Sequence, residues 1–361
     1  MKRKDVVVSG KRYGIDALGA MAQGLFCTLL VGTILNTIGQ QFNIGFLQEI
    51  IVTVGTGEGA AKYTIGGLAS AMVGPGIAVA IGFALHCPSM VLFSLIPVGF
   101  AANAMAGAGG PLAVYFVTII AAELGKIVSK ETKVDLLVTP CVTILAGIMF
   151  ANVVAEPIGT AAHSVGLAIM WATELRPFFM GILVAVIIGM ALTLPISSAA
   201  ICAAFGLTGL AGGAAVAGCC AQMVGFAVMS FKENGWGGLV AQGVGTSMLQ
   251  MSNIVKNPRI WIPPTLASAI TGPMATCLFK FQMNGAAVSS GMGTCGFVGQ
   301  IGVYTGWLND IAMGTKTAVT AADWIAMLLI CFVLPAVLSV IFCEFMKKRG
   351  WIKSEDMVLD L

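Results

Sequence analysis

The sequence predicts an all-α, polytopic membrane protein with about ten transmembrane helices, and three observations carry that prediction. Apolar side chains make up 58% of the 361 residues and charged ones only 10%, with a mean hydropathy of +0.94, so water is a poor solvent for the chain. The apolar residues fall in runs of about 20, the length a helix needs to cross a hydrocarbon core while satisfying its own backbone. Lysine and arginine collect in a few short segments between and beyond those runs.

Eight runs are clear: residues 15–38, 66–86, 90–108, 111–126, 134–155, 177–201, 204–231 and 321–346. Two less regular stretches, 236–254 and 260–280, bring the count to ten. The basic residues Lys2, Arg3, Lys4, Lys11 and Arg12, the loop residues Lys126, Lys130 and Lys133, and Lys347, Lys348, Arg349 and Lys353 mark three segments as cytoplasmic. Four crossings before the loop and six after it satisfy that parity and leave the loop around Glu49 and Glu58 outside. The expectation is a multi-pass protein of a bacterial cytoplasmic membrane, with both termini cytoplasmic. The first run is long and no cleavage site follows it, so it is expected to stay in the mature chain.

The net charge of +3 is what the cytoplasmic loops supply and implies no nucleic-acid partner. The ten cysteines lack paired metal-ligand spacing and read as small buried hydrophobes. No nucleotide-binding loop is present, so neither a metal nor another cofactor is expected.

Character changes along the chain. Residues 1–155 are plain spans and read as a scaffold and dimerisation half. Residues 156–346 are broken by Pro157, Pro177, Pro195, Pro258, Pro263, Pro264 and Pro273 and read as a transport half, with 347–361 as a cytoplasmic tail. Irregular backbone at membrane depth is tolerated only under protein cover or beside a water-filled cavity, so the second half is where a solute site is expected. Small residues at four-residue spacing, such as Gly209, Gly213 and Ala217, point to close helix packing.

The densest polar stretch supplies the first candidates: Gln242, Thr246, Ser247, Gln250, Asn253 and Asn257. Amides and hydroxyls both donate and accept, which recognition of a sugar requires, and they cost less to bury than charges. A polar loop between two spans is the competing reading. Ser197 and Ser198, beside Pro195, either face a cavity or belong to an ordinary kink. Glu156 and His163 stand seven residues apart, on one helical face if Pro157 leaves the helix intact, and either bind a proton or hydroxyl or face outside water.

The run Asn257-Pro258-Arg259-Ile260-Trp261-Ile262-Pro263-Pro264 resembles the enzyme IIC subunits of the bacterial phosphotransferase sugar uptake system. The whole chain is similar to their stand-alone, toxin-regulator branch. The resemblance implies a glucose-superfamily-type fold, a homodimer, an interface half and a transport half with re-entrant hairpins. It also implies separate IIA and IIB proteins as phosphoryl donors. One departure stands out. Where such permeases carry an asparagine-glutamate-proline turn, this chain has Gly245, Thr246 and Ser247, with no carboxylate to orient a sugar hydroxyl.

Three functions follow as expectations: a permease for a small polar solute, a sugar above all; a membrane regulator of gene expression without transport; and a phosphotransferase component using Glu156, His163 or Glu233 in place of the missing residue.

Overall fold

The computed structural model describes residues 5–6, 9–56 and 60–359. Lys2, Arg3, Lys4 and Glu58, part of the orientation argument, lie outside the described residues. The chain divides into two compact units, Met1–Ala161 and Ala162–Leu361.

The first unit opens with α1 (Arg12–Gln41). A short antiparallel hairpin follows, β1 (Val52–Val54) with β2 (Ala61–Tyr63), pairing Val52 with Tyr63. The single run expected over 66–86 is two helices, α2 (Ile65–Ala71) and α3 (Val73–Ala84), bent by 53°. Pro75 is the cause: it has no N–H for the carbonyl of Ala71, so the first helix stops there. Next come α4 (Ser89–Ala106) and α5 (Gly110–Val128). Between them Gly107 takes φ +54°, a conformation side-chain-bearing residues avoid, and the chain folds back. Val91, in the first turn of α4, therefore packs on Gly125 near the end of α5.

At that end Lys126, 1% exposed, lies 2.9 Å from Glu123 and donates to the carbonyls of Asp5 and Leu85. Arg12 donates to the Asp5 carboxylate at 2.7 Å, a hydrogen bond that holds this carboxyl below its usual pKa.

The helix α6 (Asp135–Thr173) runs 39 residues, roughly 58 Å at 1.5 Å per residue. The sequence expectation ended it at 155. Pro157 removes one hydrogen bond, yet the helix continues through it, as membrane helices tolerate.

The second unit holds α7 (Pro177–Thr193), α8 (Ser198–Ala204), α9 (Gly209–Met229), α10 (Phe231–Val240), α11 (Met251–Lys256), α12 (Ile262–Pro273) and α13 (Val298–Ala312). The last long helix is α14 (Ala321–Lys348). The expected run over 177–201 stops at Thr193 because Leu194, which precedes Pro195, is pushed into extended backbone. The expected span over 236–254 does not form: Thr246 is extended, at φ −156° and ψ 140°, and separates two short turns.

Almost wholly buried, α9 is the centre of this unit. Gly218 on α9 meets Ala185 of α7, Gly272 of α12 meets Gly181 of α7, and Gly225 meets Ser339 of α14. The small residues thus serve packing within the unit.

Among the described residues five helical stretches are long and apolar enough to cross a membrane, or six with the bent pair as one span. One of the five, Ser89–Val128, is the α4–α5 hairpin, folded back on itself. The sequence expectation that all ten cysteines are buried is corrected: Cys27, Cys141 and Cys277 are exposed, on outward faces of apolar helices that lipid can cover without cost.

Candidate functional site

Gln222 is the one strongly polar side chain in α9, and it is fully buried. Around it three other segments bring hydroxyls and an indole. Thr193 ends α7, and its Oγ1 lies 2.8 Å from Ser247 Oγ and 3.3 Å from Gln222 Oε1. Thr265, on α12, accepts from Gln222 Nε2 at 3.2 Å and donates to the Trp261 carbonyl at 2.7 Å. The indole of Trp261 donates to Gln222 Oε1 at 3.0 Å.

Thr193 has one hydrogen and three acceptors within reach, Gln222 Oε1, the Gly189 carbonyl and Ser247 Oγ, and either hydroxyl can donate in the Thr193–Ser247 contact. The result is a polar layer linking residues 193, 222, 247, 261 and 265 inside an apolar unit. A cavity of about 220 Å³ opens beside it, lined by Met190, Pro258, Trp261, Ile262, Thr265 and Leu266.

A family model described as Phosphotransferase system, EIIC matches residues 15–359. The chain belongs to that family. No curated protein and no solved structure gives a match.

In this EIIC chain a second group of polar residues lies beside the layer and is tied to the C-terminal segment. Gln242 Nε2 donates to Ser230 Oγ and to the Gly238 carbonyl, both at 3.0 Å. Gln250 Nε2 donates to Gln242 Oε1 at 2.9 Å and to the Met357 carbonyl at 3.1 Å. Asn253 Nδ2 donates to Gln250 Oε1 at 2.9 Å and to the Val358 carbonyl at 2.8 Å. Each amide nitrogen thereby uses both hydrogens. Asn257 donates to Asp356 at 2.7 Å and to the Trp351 carbonyl at 3.2 Å. Asn234 completes the clasp, donating to the Met357 carbonyl and accepting from the Leu359 N–H, both at 2.8 Å. Met357 is fully buried against Phe226, Met229, Ile254 and Ile260. The tail is therefore part of the folded EIIC domain, consistent with a family match that runs to residue 359.

The remaining candidates lie apart from this arrangement. Thr246 is buried and accepts from the Met248 N–H, which shapes the break before Ser247. Ser198 donates to the Gly291 carbonyl at 2.7 Å, and Ser197 caps α8 through the Ala200 N–H. Both hold backbone. Glu156 and His163 are exposed on α6, with the His163 ring 5.1 Å from Phe205. Glu233 is paired with Lys347 at 3.1 Å.

Gln222, Thr265 and Trp261 were not among the sequence candidates. The signal for Gln222 was present: a lone amide in a 21-residue segment of otherwise small and apolar residues is costly in lipid unless it is partnered.

Proposed function

We propose that this EIIC protein binds a small polar solute, a sugar, at the layer formed by Thr193, Gln222, Ser247, Trp261 and Thr265, and carries it across a bacterial cytoplasmic membrane. The observation that carries the reading is the linked set of buried hydroxyls, amide and indole on broken helices beside a cavity. Sugar hydroxyls can replace Ser247 and Thr265 as partners, while Gln242, Gln250, Asn253 and Asn257 hold the segment that presents Ser247. Residues 1–155 act as the scaffold of a homodimer, residues 156–346 as the moving half, and both termini face the cytoplasm. Separate IIA and IIB proteins would supply phosphoryl groups if the solute is phosphorylated.

Thermal-shift titration of the purified protein with sugars, sugar phosphates, nucleosides and organic acids tests this reading. A concentration-dependent rise with a sugar, lost in Ser247→Ala and Gln222→Leu, is expected. No rise with any sugar would end it.

The second reading, a membrane regulator of gene expression without transport, is favoured by one observation: no carboxylate stands at Gly245, Thr246 or Ser247. Under that reading deletion of the gene changes target transcripts, while proteoliposomes move no sugar.

A further inference from the structure

At the other end of α14 from the tail lies a larger cavity, of about 400 Å³, within the range of small-molecule sites. Its walls come from the segment after α12, the end of α13 and the start of α14, and they carry Lys280, Asn284, Trp307, Asp310, Lys316 and Asp323. None of these belongs to the layer described above.

The cavity holds one ion pair and one carboxylate bound by an amide. Lys316 lies 2.7 Å from Asp323, with its ammonium 5.8 Å from the centre of the Trp307 ring. Asn284 donates to both oxygens of Asp310, at 3.0 and 2.9 Å. Lys280 is held at φ +46°, a strained backbone for a lysine and one that turns the segment into the cavity wall. Two carboxylates against two ammoniums leave no net charge to select an anion or a cation. What remains is a surface of acceptors and donors next to an indole, and each sugar hydroxyl both donates and accepts.

We propose that this cavity is a second, outer site for a neutral hydroxyl-rich solute of hexose class. The inference rests on the transport reading. Asp323 and Lys347 are 24 residues apart on one helix, roughly 36 Å, about the thickness of a bilayer's hydrocarbon core. With the tail cytoplasmic, the cavity faces outside, where the solute arrives unphosphorylated.

The test is equilibrium binding of tritiated glucose, mannose and galactose to the purified full-length protein. At least one hexose should bind with a Kd raised tenfold or more by Asp310→Asn and severalfold by Gln282→Ala, an exposed residue of the same cavity wall where loss of fold is not expected. Ser247→Ala should leave this site's Kd within twofold. Hexose binding that is indifferent to Asp310→Asn and Gln282→Ala would overturn the outer site. If such binding were lost in Ser247→Ala, the transport reading would still stand. Absence of hexose binding in every form of the protein would overturn both.

Discussion

Replacing Met357 with alanine should release the C-terminal segment without unfolding the rest. The side chain is fully buried in a cluster with Phe226, Met229, Ile254, Ile260, Cys343 and Met346. Truncating a buried methionine to alanine costs about 2–5 kcal/mol. The segment is otherwise held by hydrogen bonds from Asn234, Gln250, Asn253 and Asn257, each worth about 0.5–1.5 kcal/mol net. At 1.4 kcal/mol per tenfold, the detached population should rise roughly 30-fold at the low end of that cost and a few thousand-fold at the high end. Limited trypsin digestion reads this directly, because Lys353 lies in the segment and cleavage tracks the open population when reclosing is fast. The expected result is much faster cutting at Lys353 with the main thermal transition little changed. A cleavage rate within twofold of the parent would refute the claim that Met357 anchors the tail.

Three further outcomes follow from the geometry. Gly218→Ala should lower the thermal midpoint, because its Cβ would collide with the Ala185 carbonyl; overpacking of this kind costs about 1–3 kcal/mol. Asn234→Ala should also speed cutting at Lys353, by up to tenfold for each hydrogen bond lost, and digestion of the variant checks it. The Asp5–Arg12 pair should fail on the acid side: with a depressed carboxyl pKa, its contribution is present above the unfolded value and lost as pH falls through the folded one. Trypsin cutting after Lys11 should therefore accelerate at acid pH relative to a neutral reference peptide, and Asp5→Asn should show that faster cutting already at neutral pH.

Membrane class and most helices were legible from hydrophobic run lengths, because lipid forces each spanning segment to satisfy its own backbone. The hairpin of α4 and α5 was legible for the same reason. What run lengths cannot report is where an apolar stretch breaks. Pro75 bends one helix of the first unit, while α6 passes through Pro157. The less regular stretch 236–254 was counted as a span, yet Thr246 adopts extended backbone there.

The site was legible in part. Ser247 lies in the polar layer, next to Thr193. The neighbouring amides spend their donors on the tail, a contact more than 100 residues distant in sequence that no local pattern reveals. Gln222 lies outside the dense polar stretches, yet a single amide in a buried apolar helix is the stronger signal.

The central claim is that the layer around Gln222 and Ser247 is a solute path. The most direct measurement is uptake of radiolabelled sugars into proteoliposomes holding the purified protein, compared with Ser247→Ala and Gln222→Leu at matched reconstitution. The account predicts saturable uptake of at least one sugar, reduced tenfold or more in both variants while the protein stays folded. Uptake that is unaffected by both substitutions, or absent for every sugar in the parent protein, would contradict it.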